Sequence, residues 1–451
     1  MIHLLTLAAA QPARAWFNIF GYEVRDHDLW ILATAIACSV ACGTLGCFLV
    51  LRRMSMLGDA ISHAILPGLA IAFFLTHSRE PLAMLAGALG VGVLTAVLSH
   101  GLSRWGRVPE DAAMGVVFTA LFALGVVLIS LVARDVDLDP GCVLYGLIEF
   151  VPFDTVRIAG WEAPRSLAWL SLILVINTAL ITLFFKELRI VCFDPFLATT
   201  MGISATVVHY CLMTGVAATC VASFEAVGSI LVVAMLVAPG ATAHLLTDRL
   251  SRMVWIAAAL AALSAIIGYA LAVWLNTSVA GMISTVAFAL FIAAVFFAPR
   301  HGWVGKQFRR LSLALRITQE DILGLLYRWQ ERSPTGPTAH PLTVADVLTA
   351  THSGWLGRVA MLILRQRRLL TSGPNGALLP TPAGLEAARP VIRGHRLWES
   401  YLSKHLDIAP DRLHTPAHRA EHFLSPSIQS DIDKELDAPT DPHGRAIPPR
   451  S

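Results

Sequence analysis

The amino-acid sequence predicts an all-α membrane domain of about nine transmembrane helices, followed by a mainly α soluble domain. Three observations support this fold class. Of the 451 residues, 55% are hydrophobic and only 14% are charged, whereas soluble globular proteins carry about 25% charged residues. Long apolar runs are confined to residues 29–300. Residues 301–451 are polar and rich in Arg and Pro, and they are numerous enough for one compact domain.

The apolar half divides into segments of the length that a membrane requires. A helix needs about 20 mainly apolar residues to cross the hydrocarbon core of a bilayer. The runs that meet this requirement are 29–51, 56–76, 81–103, 111–133, 166–185, 204–223, 226–246, 253–275 and 279–298. Residues 139–153 are apolar but short, and we interpret them as a re-entrant or interfacial segment.

Basic residues in the connecting loops predict the orientation of these helices. The pairs that fall in alternate loops, and therefore on one side, are Arg52/Arg53, Arg104/Arg107, Lys186/Arg189 and Arg249/Arg252. The positive-inside rule assigns that side to the cytoplasm. We therefore expect a multi-pass protein of the cell inner membrane, with residues 1–28 as an extracytoplasmic segment and the C-terminal domain in the cytoplasm.

Composition and missing motifs exclude several classes of function. The net charge of +3 is too small to indicate a nucleic-acid-binding chain. All seven cysteines precede residue 300 without a C-x-x-C spacing, so we interpret them as packing residues. The sequence has no G-x-x-x-x-G-K-[ST] segment to cradle ATP phosphates. We expect no catalysis and no bound nucleotide in this chain, and place any ATP hydrolysis on a separate chain.

The segment Arg52–Gly68 holds the most informative polar residues of the apolar half. Asp59 and His63 are four residues apart, so a helix places them on one face. Ionisable groups within a span are costly and usually face a cavity or a partner, and a carboxylate with an imidazole suits manganese, zinc or ferrous iron. The alternative is that Asp59 caps the helix and His63 hydrogen-bonds in a packed core, and residue chemistry alone does not decide between the two.

A helix break is predicted directly after this pair. Pro67 has no backbone N–H to donate to the carbonyl four residues earlier, and Pro67 with Gly68 can interrupt the helix. Transporters place ion sites at such breaks near the middle of the membrane. Two other imidazoles, His209 and His244, have no acidic partner at helical spacing, and we interpret them as packed or interfacial.

A second candidate segment lies in a predicted cytoplasmic loop. Asp194, Ala198 and Gly202 occupy positions i, i+4 and i+8 and would form a flat face of small residues on a short helix. Such a face can dock into a groove of another protein. The alternative is an ordinary amphipathic loop helix.

Four segments carry a resemblance to a known family. They are Arg52-Arg-Met-Ser-Met-Leu-Gly-Asp-Ala-Ile-Ser-His-Ala-Ile-Leu-Pro-Gly68, Pro109-Glu-Asp-Ala-Ala-Met-Gly-Val-Val-Phe118, Phe193-Asp-Pro-Phe-Leu-Ala-Thr-Thr-Met-Gly-Ile203 and Val227-Gly-Ser-Ile-Leu-Val-Val-Ala-Met-Leu-Val-Ala-Pro-Gly-Ala-Thr-Ala243. In this order they resemble the permease subunits of manganese/zinc/iron ABC importers, over most of residues 29–298. One departure is Gly240, where an alanine would be more usual.

The resemblance implies a site, a mechanism and a set of partners. Asp59 and His63 would line the metal path, and the Asp194 segment would receive the motion of cytoplasmic ATP-binding subunits. Two permease protomers, the same chain or a relative, would enclose the path by alternating access. An extracytoplasmic metal-binding protein would deliver the ion.

The polar C-terminal half is rich in potential metal ligands. Nine of the 16 histidines follow residue 300. His395 and Glu399 are four residues apart, and on a helix the residues His414, His418, Glu421 and His422 would share one face. Imidazoles and carboxylates at two such spacings indicate one or two metal sites, and the alternative is a solvated, charged helix face.

Residues 318–449 resemble the iron- or manganese-dependent repressors, of the DtxR and MntR type. The segments that carry this resemblance are Thr381–Ala388, His395–Glu399, His414–His422, Leu424–Pro426 and Asp441–Pro448. The resemblance places His395, Glu399, His414, His418, Glu421 and His422 at ligand positions, with Asp321 as a further one. His418 departs from the family, in which iron-type members have Cys and manganese-type members have Glu, so the effector metal is left open.

The resemblance also implies a degenerate winged helix-turn-helix at 318–380, before a metal-binding and dimerisation region at 381–449. The recognition helix would lie within 353–370, and it opens with Trp355-Leu-Gly instead of the polar and basic residues that read DNA. We therefore expect cytoplasmic metal sensing that modulates transport, without DNA binding by the intact chain. The alternative is a membrane-anchored metal-dependent transcriptional regulator, or the source of a DNA-binding repressor released by proteolysis.

Overall fold

The computed structural model describes residues 17–19, 22–77, 81–132, 148–158, 161–332, 342–373, 376–406, 412–437 and 439–450. The described residues belong to two compact units, one ending at Gly305 and the other beginning at Lys306. The boundary lies close to the one predicted after residue 300. Most of the predicted N-terminal segment 1–28 lies outside the described residues.

The first unit consists of helices and two short strand pairs. Its elements are β1 (Phe17–Ile19), β2 (Tyr22–Val24), α1 (Asp26–Leu51), α2 (Leu57–Ala64), α3 (Leu66–Thr76), α4 (Pro81–Gly106), α5 (Glu110–Val132), a 3-10 helix (Ile148–Phe153), β3 (Thr155–Ile158), β4 (Trp161–Pro164), α6 (Arg165–Leu183), α7 (Phe185–Phe193), α8 (Pro195–Thr200), α9 (Ala205–Leu246), α10 (Leu250–Leu275) and α11 (Val279–Phe297). Each strand pair, β1 with β2 and β3 with β4, is antiparallel.

The predicted set of membrane-spanning helices is confirmed. Within the described residues, nine helical stretches are long and apolar enough to cross a membrane, and their bounds agree with the predicted runs to within a few residues. They are Asp26–Leu51, Leu57–Thr76, Ala83–Gly106, Glu110–Leu131, Arg165–Leu183, Ala205–Phe224, Ala226–Leu246, Leu250–Leu275 and Val279–Phe297. Of the short segment 139–153, residues up to 147 lie outside the described part, and the remainder forms the 3-10 helix.

Two helical stretches are interrupted within the apolar unit. Between α2 and α3 the helix ends at Ala64 and restarts at Leu66, so that Pro67 stands in the first turn of α3, where a missing N–H is tolerated. Within α9, Gly228 has φ +77° and ψ 164°. Only glycine adopts this conformation readily, and it kinks α9 near the start of its second span, Ala226–Leu246.

Close backbone contact joins the central helices α1 and α9. A Cβ atom on Gly46 would lie 1.7 Å from the carbonyl oxygen of Leu236, and one on Gly240 would lie 3.0 Å from the backbone nitrogen of Cys47. Membrane helices associate mainly by such close packing of small residues, because lipid supplies no hydrophobic drive between them. Gly240, which departs from the family pattern, therefore fits its close contact with α1.

Polar contacts mark the two ends of the helical unit. At one end, the Asp248 carboxylate after α9 lies 2.6 Å from Arg300 Nη1 and 2.8 Å from His301 Nε2, which follow α11. At the other end, the Tyr269 hydroxyl near the end of α10 donates to Asp28 Oδ1 at 2.6 Å near the start of α1. Each of these contacts therefore joins helix ends that the basic loop residues assign to the same side of the membrane.

The second unit is mainly helical. Its elements are α12 (Trp303–Arg332), α13 (Val344–Ala350), α14 (Gly354–Gln366), β5 (Leu370–Ser372), β6 (Leu378–Pro380), α15 (Pro382–Leu406), α16 (His414–Ala420) and α17 (Pro426–Leu436). The core that joins α12, α13, α14 and the antiparallel strand pair comprises Ile322, Leu323, Leu326, Val347, Ala360, Met361, Leu364, Leu370, Leu378 and Ala388. Two helices followed by a strand pair is the order of a winged helix-turn-helix, and that assignment stays a prediction.

The contact between Gly46 and Leu236 generates a stability prediction. We expect Gly46→Ala to lower the midpoint of thermal unfolding of the full-length protein in detergent, because the new methyl group would overlap the Leu236 carbonyl oxygen. Overpacking of this kind costs about 1–3 kcal/mol. The control is Gly90→Ala, where a Cβ meets nothing within 4 Å. An unchanged midpoint for Gly46→Ala would show that the α1–α9 contact is looser than described.

Candidate metal sites

Helix α2 presents Asp59 and His63 side by side. His63 Nε2 lies 3.6 Å from Asp59 Oδ1, and the two side chains are 38% and 37% exposed. The helix begins after Met56 at the N-cap, with no side-chain hydrogen bond to the cap, so Asp59 does not serve as the capping residue. The pair is neither sealed in a packed core nor fully exposed, which leaves both ligand atoms free to meet an ion.

Aromatic residues of α5 border the imidazole. The His63 ring lies 6.0 Å from the Phe118 ring and 5.8 Å from the Phe122 ring, measured between centroids. A half-exposed carboxylate inside an apolar span is tolerable only if its open side meets water or protein, since exposure of a charge to lipid costs several kcal/mol, on the order of 3 or more. The open side of the pair therefore faces water or protein rather than lipid.

Pro67 and Gly68 pack tightly against the neighbouring helices. A Cβ on Gly68 would lie 2.3 Å from the Gly87 carbonyl oxygen in α4, and one on Gly125 in α5 would lie 2.7 Å from Pro67 Cδ. The predicted break thus falls where α3 contacts both helices. These two residues hold the helix that continues from the Asp59–His63 pair against α4 and α5.

The loop segment predicted to couple to another subunit differs from expectation. Asp194 is the N-cap of α8, and its carboxylate accepts hydrogen bonds from the backbone N–H groups of Phe196 and Leu197, each at 3.0 Å. Ala198 is completely buried. Gly202 lies beyond the end of α8 with φ +81°. The three residues therefore do not form one exposed face, because the helix is too short and its small-residue side packs inward.

The exposed face of α8 and its flanks is apolar instead. Phe193, Phe196, Leu197 and Met201 are 62%, 86%, 50% and 61% exposed. The prediction of a small-residue face did not include these side chains. The feature of the sequence that could have revealed them is the run of large apolar residues in a loop that follows Lys186 and Arg189. Apolar side chains exposed together in such a loop indicate contact with another protein or with the membrane.

Seven side chains of the second unit converge in two clusters. The first cluster is Asp321, His418, Glu421 and His422, and the second cluster is His395, Glu399 and His414. Within each cluster, one ligand atom from every member lies within 4.8 Å of the others. Every residue that the sequence analysis placed at a ligand position therefore belongs to one of the clusters.

The geometry differs from the single helix face that the spacing predicted. Helix α16 ends at Ala420, so Glu421 and His422 come from the turn that follows. His414, at the start of α16, faces α15 and joins the second cluster.

Glu421 lies between the two clusters. Its side chain is 2% exposed, with Oε2 2.6 Å from His395 Nδ1 and Oε1 2.7 Å from His418 Nδ1. Arg328 of α12 places Nη2 3.3 Å from Oε2. A buried carboxylate requires this compensation, and the arrangement makes one side chain part of the electrostatics of both clusters.

Asp321 reaches the first cluster from α12. Its Oδ1 lies 3.1 Å from His422 Nε2 and 3.9 Å from His418 Nε2. This oxygen is buried, and the His422 imidazole is its near partner. A buried carboxylate oxygen aimed at two imidazole nitrogens is an arrangement that a shared cation would also satisfy.

Glu320 supports the first cluster and was missed by the sequence analysis. The His422 ring donates from Nδ1 to Glu320 Oε2 at 2.7 Å, which leaves Nε2 to face Asp321. Carboxylates that orient a ligating histidine in this way raise its basicity and metal affinity. The available signal was the position of Glu320 directly before Asp321.

The second cluster is more compact. His395 Nε2 lies 2.9 Å from Glu399 Oε1 and 3.0 Å from His414 Nδ1, and His414 Nδ1 lies 3.4 Å from the same carboxylate oxygen. Two imidazole nitrogens and one carboxylate suit manganese, zinc or ferrous iron. His395 and Glu399 are buried, whereas His414 is exposed, so an ion would enter from the His414 side.

Opposite charges are already paired within the first cluster. Burial lowers the pKa of the His422 imidazole, but the Asp321 and Glu320 carboxylates outweigh it and raise the pKa to about 9. Burial raises the pKa of the Glu421 carboxyl, but its two histidine contacts outweigh that effect and bring the pKa to about 2. A metal ion must displace the His422 proton, so metal affinity at this cluster should rise with pH.

These features define a polytopic membrane protein with candidate metal-ligating side chains in both units. Residues 27–298 match the ABC 3 transport family, and the chain belongs to this family. Residues 381–449 match the metal-binding and dimerisation domain of iron-dependent repressors. Both resemblances drawn from the sequence are confirmed.

Several known proteins are similar to this chain. The manganese transport system membrane protein MntD of Bacillus subtilis is 44% identical over 289 residues, which are 64% of this chain and 98% of that protein. The zinc transport system membrane protein TroD of Treponema pallidum is 38% identical over 364 residues, 80% of this chain and 97% of that protein. A chain in the structure of PsaBC from Streptococcus pneumoniae in complex with Fab is 30% identical with a TM-score of 0.52, covering 62% of this chain and 95% of its own.

The position of Glu421 predicts that one substitution weakens both clusters. We expect Glu421→Gln to reduce the affinity of the full-length protein for Mn²⁺ or Zn²⁺ by about 10- to 100-fold or more, measured by equilibrium dialysis. The matched control is Glu435→Gln, since the Glu435 carboxylate lies 3.0 Å from His405 Nε2, belongs to neither cluster and is half exposed. If the intact protein and Glu421→Gln bind the metal with equal affinity, Glu421 contributes to neither cluster's metal binding.

Proposed function

We propose that this chain is the membrane permease subunit of an ATP-driven importer for divalent transition metal ions, with a C-terminal metal-sensing domain. The observation that carries the proposal is the Asp59–His63 pair, half exposed on a broken span of a chain of the ABC 3 transport family. The names of the two similar proteins, a manganese and a zinc transport protein, support the substrate class. Iron(II) suits the same donor atoms.

The Asp59–His63 pair coordinates the ion briefly during transport. One carboxylate and one imidazole attract a divalent cation but do not complete its coordination shell. Water or a second protomer supplies the remaining ligands. A partly coordinated ion leaves more easily than one in a closed structural site, and transport requires release as well as binding.

A second permease protomer, this chain or a relative, encloses the path. The support for this step is the open side of the Asp59–His63 pair, which lipid cannot cover at acceptable cost. Helix α5 borders the pair and carries a largely exposed apolar surface that includes Val116 and Val127, at 61% and 53% exposure. Two such surfaces facing each other would shield both pairs and leave a route between them.

ATP-binding subunits on separate chains drive the alternation of access, and an extracytoplasmic metal-binding protein delivers the ion. The apolar face of α8, centred on Phe196, is the surface that contacts an ATP-binding subunit. The Asp194 cap fixes the start of this helix and thereby the direction of the face. This replaces the small-residue face predicted from the sequence.

The C-terminal domain lies in the cytoplasm and senses the imported metal. Its support is the pair of ligand clusters, the match to a repressor metal-binding domain, and the basic loops that assign the preceding residues to the cytoplasm. Metal bound at the clusters adjusts transport to cytoplasmic supply. No observation favours DNA binding by the intact chain over this role.

The Asp59–His63 pair provides the direct test of the transport proposal. In cells that carry the complete importer, Asp59→Ala and His63→Ala should each lower metal uptake by at least about tenfold, because loss of one ligand to an incompletely coordinated ion costs more than about 1.4 kcal/mol. Uptake of radioactive Mn²⁺ and Zn²⁺ is measured with the amount of protein in the membrane. His77→Asn, an exposed imidazole beyond α3, is the control. Uptake at the unmodified rate in both alanine variants refutes the assignment.

The apolar face of α8 generates a second functional prediction. Phe196→Ser should reduce both copurification of the ATP-binding subunit and metal uptake by about tenfold or more, as loss of an aromatic anchor does at protein interfaces. Asp194→Asn is the matched control, because asparagine keeps the N-cap and removes only the charge. A loss with Asp194→Asn but none with Phe196→Ser would assign the contact to the charge instead.

A further inference from the structure

Two histidines outside the sites above face each other at one end of the helical unit. His100 of α4 and His209 of α9 have ring centroids 4.4 Å apart, with the ring planes inclined by 39°. His209 is 2% exposed. Neither of its ring nitrogens has a hydrogen-bond partner among the residues that the structure describes. The sequence analysis interpreted His209 as a packed residue and did not single out His100.

An imidazole buried without partners for either nitrogen is unusual. Buried polar groups are nearly always hydrogen-bonded, and each exception calls for a functional reason or an unobserved ligand. The Tyr210 ring lies 5.4 Å from the His100 ring and 5.5 Å from the His209 ring, so an aromatic wall closes one side of the pair. The orphan nitrogens of His209 are therefore the feature that points to a ligand.

The helix register relates this pair to the Asp59–His63 pair. A Cβ on Gly92 of α4 would lie 3.3 Å from Ala217 Cβ of α9 and 3.5 Å from Ile61 Cγ2 of α2. His100 follows Gly92 by eight residues and His209 precedes Ala217 by eight, as antiparallel helices require. Eight residues correspond to about 12 Å along a helix. The pair is therefore displaced along the helix axis by about that distance from the level of Ile61, toward the basic loop ends, whereas Asp59 and His63 project from the opposite face of α2, toward α5.

We propose that His100 and His209 form a second binding site for the transported metal ion, between the Asp59–His63 pair and the cytoplasmic ends of α4 and α9. This inference rests on the proposed transport function. Imidazole nitrogens bind zinc, iron and other divalent transition metals. The two histidines supply two ligands, and water supplies the rest.

Charged groups near the pair adapt it to release of the ion. Arg52 lies close enough to both rings to act on them electrostatically, and Arg104 and Glu110, with opposite charges, act on His100 alone. The guanidinium charge opposes long residence of a cation. A site without a carboxylate ligand and with a nearby positive charge therefore holds the ion less tightly than the Asp59–His63 pair.

The test compares Zn²⁺ binding by full-length variants in detergent, using equilibrium dialysis. The intact chain should bind one Zn²⁺ more per molecule than the double variant His100→Gln/His209→Gln. His244→Gln, an exposed imidazole on the same helix as His209, should bind as many ions as the intact chain. His209→Cys should also keep the ion, because a thiolate is a good zinc ligand. If the double variant does not fold, His100→Gln alone should show the same loss.

The same comparison on an Asp59→Ala background separates this inference from the proposed function. A loss of one Zn²⁺ on both backgrounds supports the second site, even if the complete importer takes up no metal in cells and the transport proposal fails. Equal Zn²⁺ binding by the intact chain and the folded double variant overturns the second site, whatever the rate of uptake. A loss of one ion with His244→Gln, equal to that of the double variant, also overturns it.

Discussion

The cost of exposing a carboxylate to lipid constrains the arrangement of the whole helical unit. Asp59 is ionisable, lies in an apolar span and is still more than a third exposed. A charge in this position is stable only where water or another protein replaces lipid. The surrounding helices meet this requirement, since α1 is mostly buried and forms the centre, whereas α5 is mostly exposed and borders the pair. Helices α1 and α9 pack closely at the centre of the unit, whereas the Asp59–His63 pair lies at its open edge.

Compensation of buried charge also organises the second unit. Glu421 is almost completely buried, and His395, His418 and Arg328 all approach its carboxylate. Because these contacts belong to two different clusters, a change of charge in one cluster alters the field in the other. Glu421 therefore couples two groups of ligands that the chain draws from α12, α15 and α16. Coupling of this kind suits a sensor better than two independent storage sites.

Hydropathy and local spacing allowed much of this structure to be predicted. The nine spans followed from run length, and the Asp59–His63 pair followed from one helical turn. Contacts between distant residues could not be derived in this way. His100 meets His209 only because α4 and α9 run antiparallel in one register, and no local pattern reports that register. The burial of Ala198 depends on how α8 packs against the flanking helices α7 and α9, which the spacing of small residues does not report.

The Asp59–His63 and His100–His209 pairs of the helical unit differ in the charge of their ligand groups. The Asp59–His63 pair combines a negative charge with a nitrogen ligand, and it attracts a dication from water. The His100–His209 pair offers nitrogen ligands only, near the positive charge of Arg52. The two pairs lie at different depths along the helices, and a dication meets a weaker electrostatic attraction at the His100–His209 pair than at the Asp59–His63 pair. Because the His100–His209 pair holds the ion less tightly, a conformational change that opens the basic end is enough to release it.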